Sequence, residues 1–147
     1  MPGPNAPKNE ILQIALACSE REWLVFACHN ETKRPLTEHG LHDATRDATQ
    51  IKTWFTRWPG AMIGIKCGRD SGVFVIDCDV DPTKGLDAIT AFKKLFPDLP
   101  ETTTVKTPRG GRHYYFKYPD DAEIRNSAGK IWQIERLLAV TAVGCAD

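Results

Sequence analysis

The chain has 147 residues, of which 41% are hydrophobic and 26% are charged. This length and composition are typical of one globular domain with a real core, and they exclude a disordered chain. Nineteen basic and nineteen acidic residues balance each other, so any contact with nucleic acid needs a local basic surface.

The pattern of apolar residues predicts an α+β fold without internal repeats. A helix over residues 9–19 opens the fold, behind an Asn that can cap it. Two further helices are predicted at 50–58 and 85–96, and a proline ends each of them. Five strands are predicted, at 23–28, 61–66, 72–77, 102–107 and 113–118, and the last two pair across a Gly-containing turn. A polar, histidine-rich loop covers residues 29–47.

Cysteine usage and the N-terminal sequence predict a cytoplasmic protein without a membrane partner. Five cysteines occur without a Cys-x-x-Cys pair, which favours reduced thiols over a disulfide framework. No apolar run approaches the roughly 18 residues of a membrane helix, and the first residues do not resemble a signal peptide. Cys28, His29, His39 and His42 could in principle hold zinc, but their spacing matches no common structural zinc site.

Residues 73–79, Val-Phe-Val-Ile-Asp-Cys-Asp, form an apolar run that ends in an Asp-x-Asp motif. Such a run predicts a buried strand, and alternate strand residues share a face, so Asp77 and Asp79 would lie about 6–7 Å apart. Their mutual repulsion is unfavourable unless a cation lies between them. Hard carboxylate ligands suit Mg²⁺ or Mn²⁺, which also bind phosphates. The alternative is that both aspartates only cap the following turn.

Residues 107–113 combine two adjacent glycines with positively charged or donor side chains. The glycines expose backbone N–H groups, and Arg109, Arg112 and His113 supply the side chains. This composition suits a triphosphate. The alternative is a hairpin turn whose arginines are only solvated. A second basic segment, residues 125–130, is equally consistent with a solvated loop when it is taken alone.

The order of these segments resembles the bifunctional DNA primase/polymerase N-terminal domain. This prim-pol family is a branch of the archaeo-eukaryotic primase superfamily, found in phage, plasmid and mobile-element replication proteins. The resemblance covers about residues 23–135, and the order and spacing of its pieces together are specific. The matching pieces are residues 33–36, 43–45, the helix with Trp54 and Trp58, and residues 63–68, 71–72, 75–79, 107–116 and 125–131.

The resemblance implies an archaeo-eukaryotic primase-like α+β fold, with a mixed or antiparallel sheet flanked by helices. It implies template-directed nucleotidyl transfer by a DNA primase and polymerase, with two Mg²⁺ or Mn²⁺ ions. The implied substrates are NTPs or dNTPs with a single-stranded DNA template and a primer. A helicase domain or a separate helicase would be a further partner.

The resemblance also implies roles for individual residues. Asp77, Asp79 and Glu135 correspond to the catalytic, metal-binding carboxylates, and His113 resembles the histidine that contacts the phosphates of the incoming nucleotide. Ser71 is a candidate for shaping the turn before the catalytic strand and for contacting the nucleotide. Four basic residues are candidates for electrostatic clamps on the phosphates: Arg109, Arg112, Arg125 and Lys130.

The C-terminal segment departs from the family pattern. Residues 133–135 can supply the third carboxylate, but residues 136–147 do not resemble the Gly-rich turn and Pro-Pro-Ser-like stretch expected there. They are either a shortened ending that still closes the sheet or the product of a frameshift, since a shifted frame over residues 138–142 can encode a Gly-rich turn. We therefore expect a single domain over residues 1–147 that is incomplete at its C-terminal end, with an unpaired sheet edge and a tendency to associate.

Two alternatives to an active primase and polymerase stay open. One is a catalytically inactive remnant that still binds nucleotide or DNA. The other is a metal-dependent nucleotide phosphohydrolase that uses Asp77 and Asp79. Nucleotide binding without primer synthesis would indicate the remnant, and release of inorganic phosphate would indicate the hydrolase.

Overall fold

A computed structural model describes residues 8–126 of the chain. The predicted site residues Lys130 and Glu135, and the segment 136–147, lie outside the described residues. The chain divides into two compact units, Met1–Gly72 and Val73–Asp147. The expectation of one domain over residues 1–147 stays a prediction. Among the described residues, no helix is both long enough and apolar enough to cross a membrane.

The first unit packs two helices with a two-stranded antiparallel sheet. Its elements are α1 (Lys8–Glu20), β1 (Leu24–Cys28), a 3-10 helix (Gly40–Asp43), α2 (Ala48–Arg57) and β2 (Met62–Lys66). The strands pair from Leu24 opposite Lys66 to Cys28 opposite Met62. Ala15 of α1, Val25 of β1 and Ile51 of α2 are fully buried. The two helices and two strands predicted in this part of the sequence are therefore confirmed.

The histidine-rich loop of this unit is held by local hydrogen bonds. His29 Nδ1 accepts from the backbone N–H groups of Glu31 and Thr32, each at 3.2 Å, and His39 Nδ1 lies 3.1 Å from Asp43 Oδ1. Across residues 8–126, no group of three or more His, Cys, Asp or Glu side chains is arranged to hold a metal ion. The zinc ligands considered for this loop are thus not brought together within the described residues, and His29 and His39 instead make local hydrogen bonds.

The second unit is built on a three-stranded antiparallel sheet in the order β3–β7–β6. Its elements are β3 (Val73–Cys78), β4 (Val80–Asp81), a 3-10 helix (Pro82–Lys84), β5 (Leu86–Asp87), α3 (Ala88–Leu95), β6 (Thr104–Lys106) and β7 (Arg112–Lys117). Phe92 of α3 packs in one core cluster with Phe74 and Ile76 of β3 and Phe116 of β7. One face of the sheet is therefore covered by α3, as the amphipathic pattern of this helix predicts.

Helix α3 begins three residues later than the sequence predicts, at Ala88 rather than Gly85. The preceding residues form a small hairpin in which Val80 lies opposite Asp87. Gly85 takes a left-handed conformation with φ of 63°, which ends the 3-10 helix before it. Asp87 then caps α3, because its side chain accepts hydrogen bonds from the backbone N–H and the hydroxyl of Thr90. Asp87 therefore fixes the start of the helix.

Replacing Asp87 with Ala is expected to lower the melting temperature at neutral pH. The hydrogen bonds from Thr90 hold the pKa of the Asp87 carboxyl below its usual value of 3.8, so the ionised form stabilises the folded state. This stabilisation is present above about pH 4 and is lost as the pH falls through the lower pKa of the folded state. Thermal unfolding at several pH values tests this. The exposed Asp98 provides the matched control, and an equal decrease for Asp98→Ala would contradict the role of the cap.

Candidate active site

Asp77 and His113 lie directly opposite each other where β3 pairs with β7. Residues directly opposite in an antiparallel pair share a face of the sheet, so their side chains meet. His113 Nε2 lies 3.3 Å from Asp77 Oδ1, and the two side chains are 36% and 57% exposed. The sequence-predicted carboxylate and histidine are thus neighbours on a part of the surface that a ligand can reach.

Asp79 follows directly after the end of β3, and Cys78 separates it from Asp77. The backbone carbonyl of Asp79 accepts a hydrogen bond from the N–H of Ala88 at 3.0 Å. Burial, followed by the negative charges of Asp77 and Asp79, raises the pKa of the Cys78 thiol to about 11. The thiol therefore stays protonated at neutral pH and is not a nucleophile. Because β3 ends at Cys78, the separation of about 6–7 Å between the two carboxylates stays a prediction.

The turn over residues 107–111 packs against the end of β3. The N–H of Thr107 donates to the carbonyl of Gly111, and the N–H of Gly110 donates to the carbonyl of Thr107, both at 3.0 Å. A Cβ placed on Gly111 would lie 2.7 Å from the carbonyl oxygen of Cys78 and 3.5 Å from the Cα of Asp79. Only glycine allows this approach, which brings the basic turn next to the Asp-x-Asp motif.

The two arginines of this segment occupy different positions. Arg109 is exposed at the turn. Arg112 lies opposite Cys78, and its Nη1 donates to the carbonyls of Gly110 and Gly111 at 3.1 Å and 2.9 Å. Because successive strand residues point to opposite faces, Arg112 and His113 lie on opposite faces of β7. The sequence alone indicated that the arginines and His113 form one cluster. The sheet instead places Arg112 and His113 on opposite faces.

Two further predicted site residues take part in local contacts. Ser71 is buried, and its hydroxyl donates to the carbonyl of Lys66 and accepts from the N–H of Leu24. These bonds give Ser71 the turn-shaping role, while a contact with the nucleotide stays a prediction. Arg125 is exposed, with Nη2 lying 3.5 Å from Glu123 Oε2. Its role as a clamp also stays a prediction.

Sequence reasoning missed Lys106, which lies directly opposite Arg112 in the pairing of β6 with β7. The signal was present, because a hairpin closed around residues 107–111 places 106 opposite 112. This pairing can be predicted only when the first and last residues of the turn are known, and the composition of the segment does not define them.

The donor chemistry of the Asp-x-Asp motif fits a divalent metal ion. Asp77 and Asp79 are exposed carboxylates, and oxygen ligands of this kind suit Mg²⁺ and Mn²⁺. Within residues 8–126 these two carboxylates and His113 do not form a complete ligand group. The predicted third carboxylate, Glu135, lies outside the described residues.

Comparison with known proteins identifies the family. The family model described as bifunctional DNA primase/polymerase, N-terminal, matches residues 15–141, a segment that contains all of the predicted site residues. Neither the comparison with curated proteins nor the comparison with solved structures finds a match. Family membership implies nucleotidyl transfer of the DNA primase/polymerase type, acting on nucleotide and DNA substrates, and such enzymes generally use divalent metal ions. The predicted resemblance is confirmed, and the chain belongs to the bifunctional DNA primase/polymerase N-terminal family.

Proposed function

We propose that this chain catalyses template-directed nucleotidyl transfer, as primase and polymerase, in the replication of a phage, plasmid or other mobile element. The observation that carries the proposal is the contact between Asp77 and His113 at the point where the basic turn packs against the end of β3. In this contact Asp77, a carboxylate that can bind a metal ion, lies beside His113, a side chain that can bind a phosphate. The chain belongs to a family of DNA primases/polymerases, which need both kinds of residue in one site.

Asp77 and Asp79 are the residues that would hold Mg²⁺ or Mn²⁺, with Glu135 as the proposed third ligand. When bound, two such ions activate the primer hydroxyl and neutralise the negative charge on the nucleotide phosphates and the leaving pyrophosphate. The exposure of both carboxylates leaves them accessible to a hydrated ion. Asp77 needs no rearrangement of the core to bind it, because β3 is anchored by its buried apolar residues.

His113 serves to bind and orient the nucleotide. Its contact with Asp77 Oδ1 at 3.3 Å holds the imidazole ring in place before the nucleotide binds. When the nucleotide binds, Nε2 is proposed to exchange this contact for a hydrogen bond that it donates to a phosphate oxygen. The paired strand beneath it keeps the ring near the carboxylates, so the phosphates are bound close to the proposed metal ligands.

Arg109 supplies positive charge at the tip of the neighbouring turn. A guanidinium group there attracts the triphosphate and stabilises the charge that develops on the leaving pyrophosphate. Arg112 reaches the same turn from the other face, where its Nη1 is bound to two backbone carbonyls. Its first effect is therefore to hold the shape of the turn.

Metal ion and nucleotide are expected to bind cooperatively, because the ion removes the repulsion between the carboxylates and the triphosphate. Calorimetry of dNTP binding with and without Mn²⁺ measures this coupling. We expect the metal to raise the affinity of the wild-type protein by at least about tenfold. The double variant Asp77→Ala, Asp79→Ala should lose this dependence on metal.

The matched control for this double variant is Asp98→Ala, Asp120→Ala, which removes the same charge at two other exposed positions. It should keep the coupling of the wild-type protein. Unchanged nucleotide affinity in the Asp77, Asp79 double variant with metal present would contradict a metal-bridged site.

A further inference from the structure

Lys106 and Arg112 form a pair of like charges across the β6–β7 hairpin. They lie directly opposite each other, and Arg112 lies in turn opposite Cys78 of β3. The next row of the sheet contains Val105, His113 and Asp77. Since successive rows point to opposite faces, Lys106 and Arg112 lie on the face away from the pair of Asp77 and His113.

A pair of this kind is unfavourable in the free protein, because like charges directly opposite on neighbouring strands repel each other. The hairpin offers no compensating acid, since residues 102–119 contain four Lys or Arg residues and no Asp or Glu. Within the described part of the chain, no ion pair neutralises Lys106, Arg109 or Arg112. An anion bound from outside would relieve this repulsion.

We propose that Lys106 and Arg112 bind the phosphate backbone of a single-stranded nucleic acid; we call these two residues the hairpin cations. The inference rests on the proposed function, and it names a surface for the single-stranded template. Lysine and arginine contacts to phosphates position a strand without reading its sequence, which is what an enzyme that copies any template requires.

Two observations favour a nucleic-acid backbone over the triphosphate of the incoming nucleotide. Lys106 and Arg112 lie on the opposite face of the sheet from His113, the proposed contact of the triphosphate. The hairpin cations also lie side by side at the end of an open hairpin, where Lys106 is exposed, and this suits a chain of phosphates that crosses both strands. Gly111 packs against Cys78, the β3 residue opposite Arg112, so the hairpin that carries these cations has a fixed position at the end of β3.

Fluorescence anisotropy with an end-labelled single-stranded oligothymidylate, repeated over a range of salt concentrations, tests this surface. Lys106→Gln is expected to weaken binding roughly fivefold at about 0.1 M salt, because one phosphate contact is lost. The slope of log affinity against log salt concentration should become shallower by about 0.7. Calorimetry with dNTP and Mn²⁺ should give the wild-type nucleotide affinity for the same variant.

Lys106→Glu provides a second variant that separates binding from folding. It places an acid opposite Arg112, so it should raise the melting temperature while weakening oligonucleotide binding more than Lys106→Gln does. The control is Lys117→Gln, at the other end of β7 and opposite Val73. This control should keep both the affinity and the salt slope of the wild-type protein.

Wild-type affinity and slope in Lys106→Gln would overturn the inference, as would the absence of oligonucleotide binding by the wild-type protein. An equal loss of dNTP affinity would also overturn it, because Lys106 would then belong to the triphosphate site. The two proposals can fail separately. If dNTP binding does not depend on metal but Lys106→Gln still weakens oligonucleotide binding, the proposed function is wrong and the hairpin cations still bind nucleic acid.

Discussion

Replacing Asp77 with Asn is expected to lower the rate of primer extension by a factor of about 10³ or more, while the protein stays folded. Asn keeps the size and shape of the side chain but removes the charge that would hold a divalent cation, and losses of this order follow the removal of one essential charged group from an active site. The side chain is 57% exposed, so the core does not depend on it. The melting temperature should therefore stay close to that of the wild-type protein.

Single-turnover extension of a labelled primer with Mn²⁺ measures this effect, and circular dichroism verifies the fold. Asp98→Asn makes the same chemical change at an exposed position beyond the end of α3 and should leave the rate unchanged. If Asp77→Asn keeps more than about a tenth of the wild-type rate, Asp77 does not act as a metal ligand in the reaction.

Replacing Gly111 with Ala is expected to destabilise the protein by about 1–3 kcal/mol through overpacking. The added Cβ would lie 2.7 Å from the carbonyl oxygen of Cys78 and 2.9 Å from Thr107 Oγ1. Thr107 can rotate its side chain away, but the carbonyl of Cys78 belongs to the backbone of a paired strand. The turn must therefore shift away from β3, and dNTP affinity should fall together with the stability.

Urea unfolding measures the loss of stability, and calorimetry measures the change in dNTP affinity. Gly60→Ala is the matched control, because a Cβ there meets nothing within 4 Å. Equal stability of the Gly111 and Gly60 variants would show that the turn does not pack on β3 as described.

The secondary structure was largely predictable because its signals are local. The helices near 50–58 and 85–96 follow from apolar periodicity and from the prolines that end them, and the structure contains both. The start of α3 was not predictable in the same way. Asp87 is the last residue of β5 and also the N-cap of α3. The apolar pattern does not show where the strand ends and the helix begins.

The candidate site was predictable in its residue types but not in its arrangement. The contact between Asp77 and His113 follows from a register that joins strands far apart in sequence, and no local pattern defines that register. For the same reason the separation of Arg112 from His113 was missed, although the two are adjacent in sequence. The packing of Gly111 against Cys78 is likewise a tertiary contact, which the Gly-Gly sequence indicates only as a turn.

The most direct test of template-directed nucleotidyl transfer is to offer the wild-type chain a primed single-stranded template with Mn²⁺ and labelled dNTPs, varying the first unpaired template base. We expect the primer to be extended by the complementary nucleotide, with one pyrophosphate released for each nucleotide added. Release of inorganic phosphate without extension would contradict this function and indicate a hydrolase. Nucleotide binding without any turnover would contradict it as well and indicate an inactive remnant.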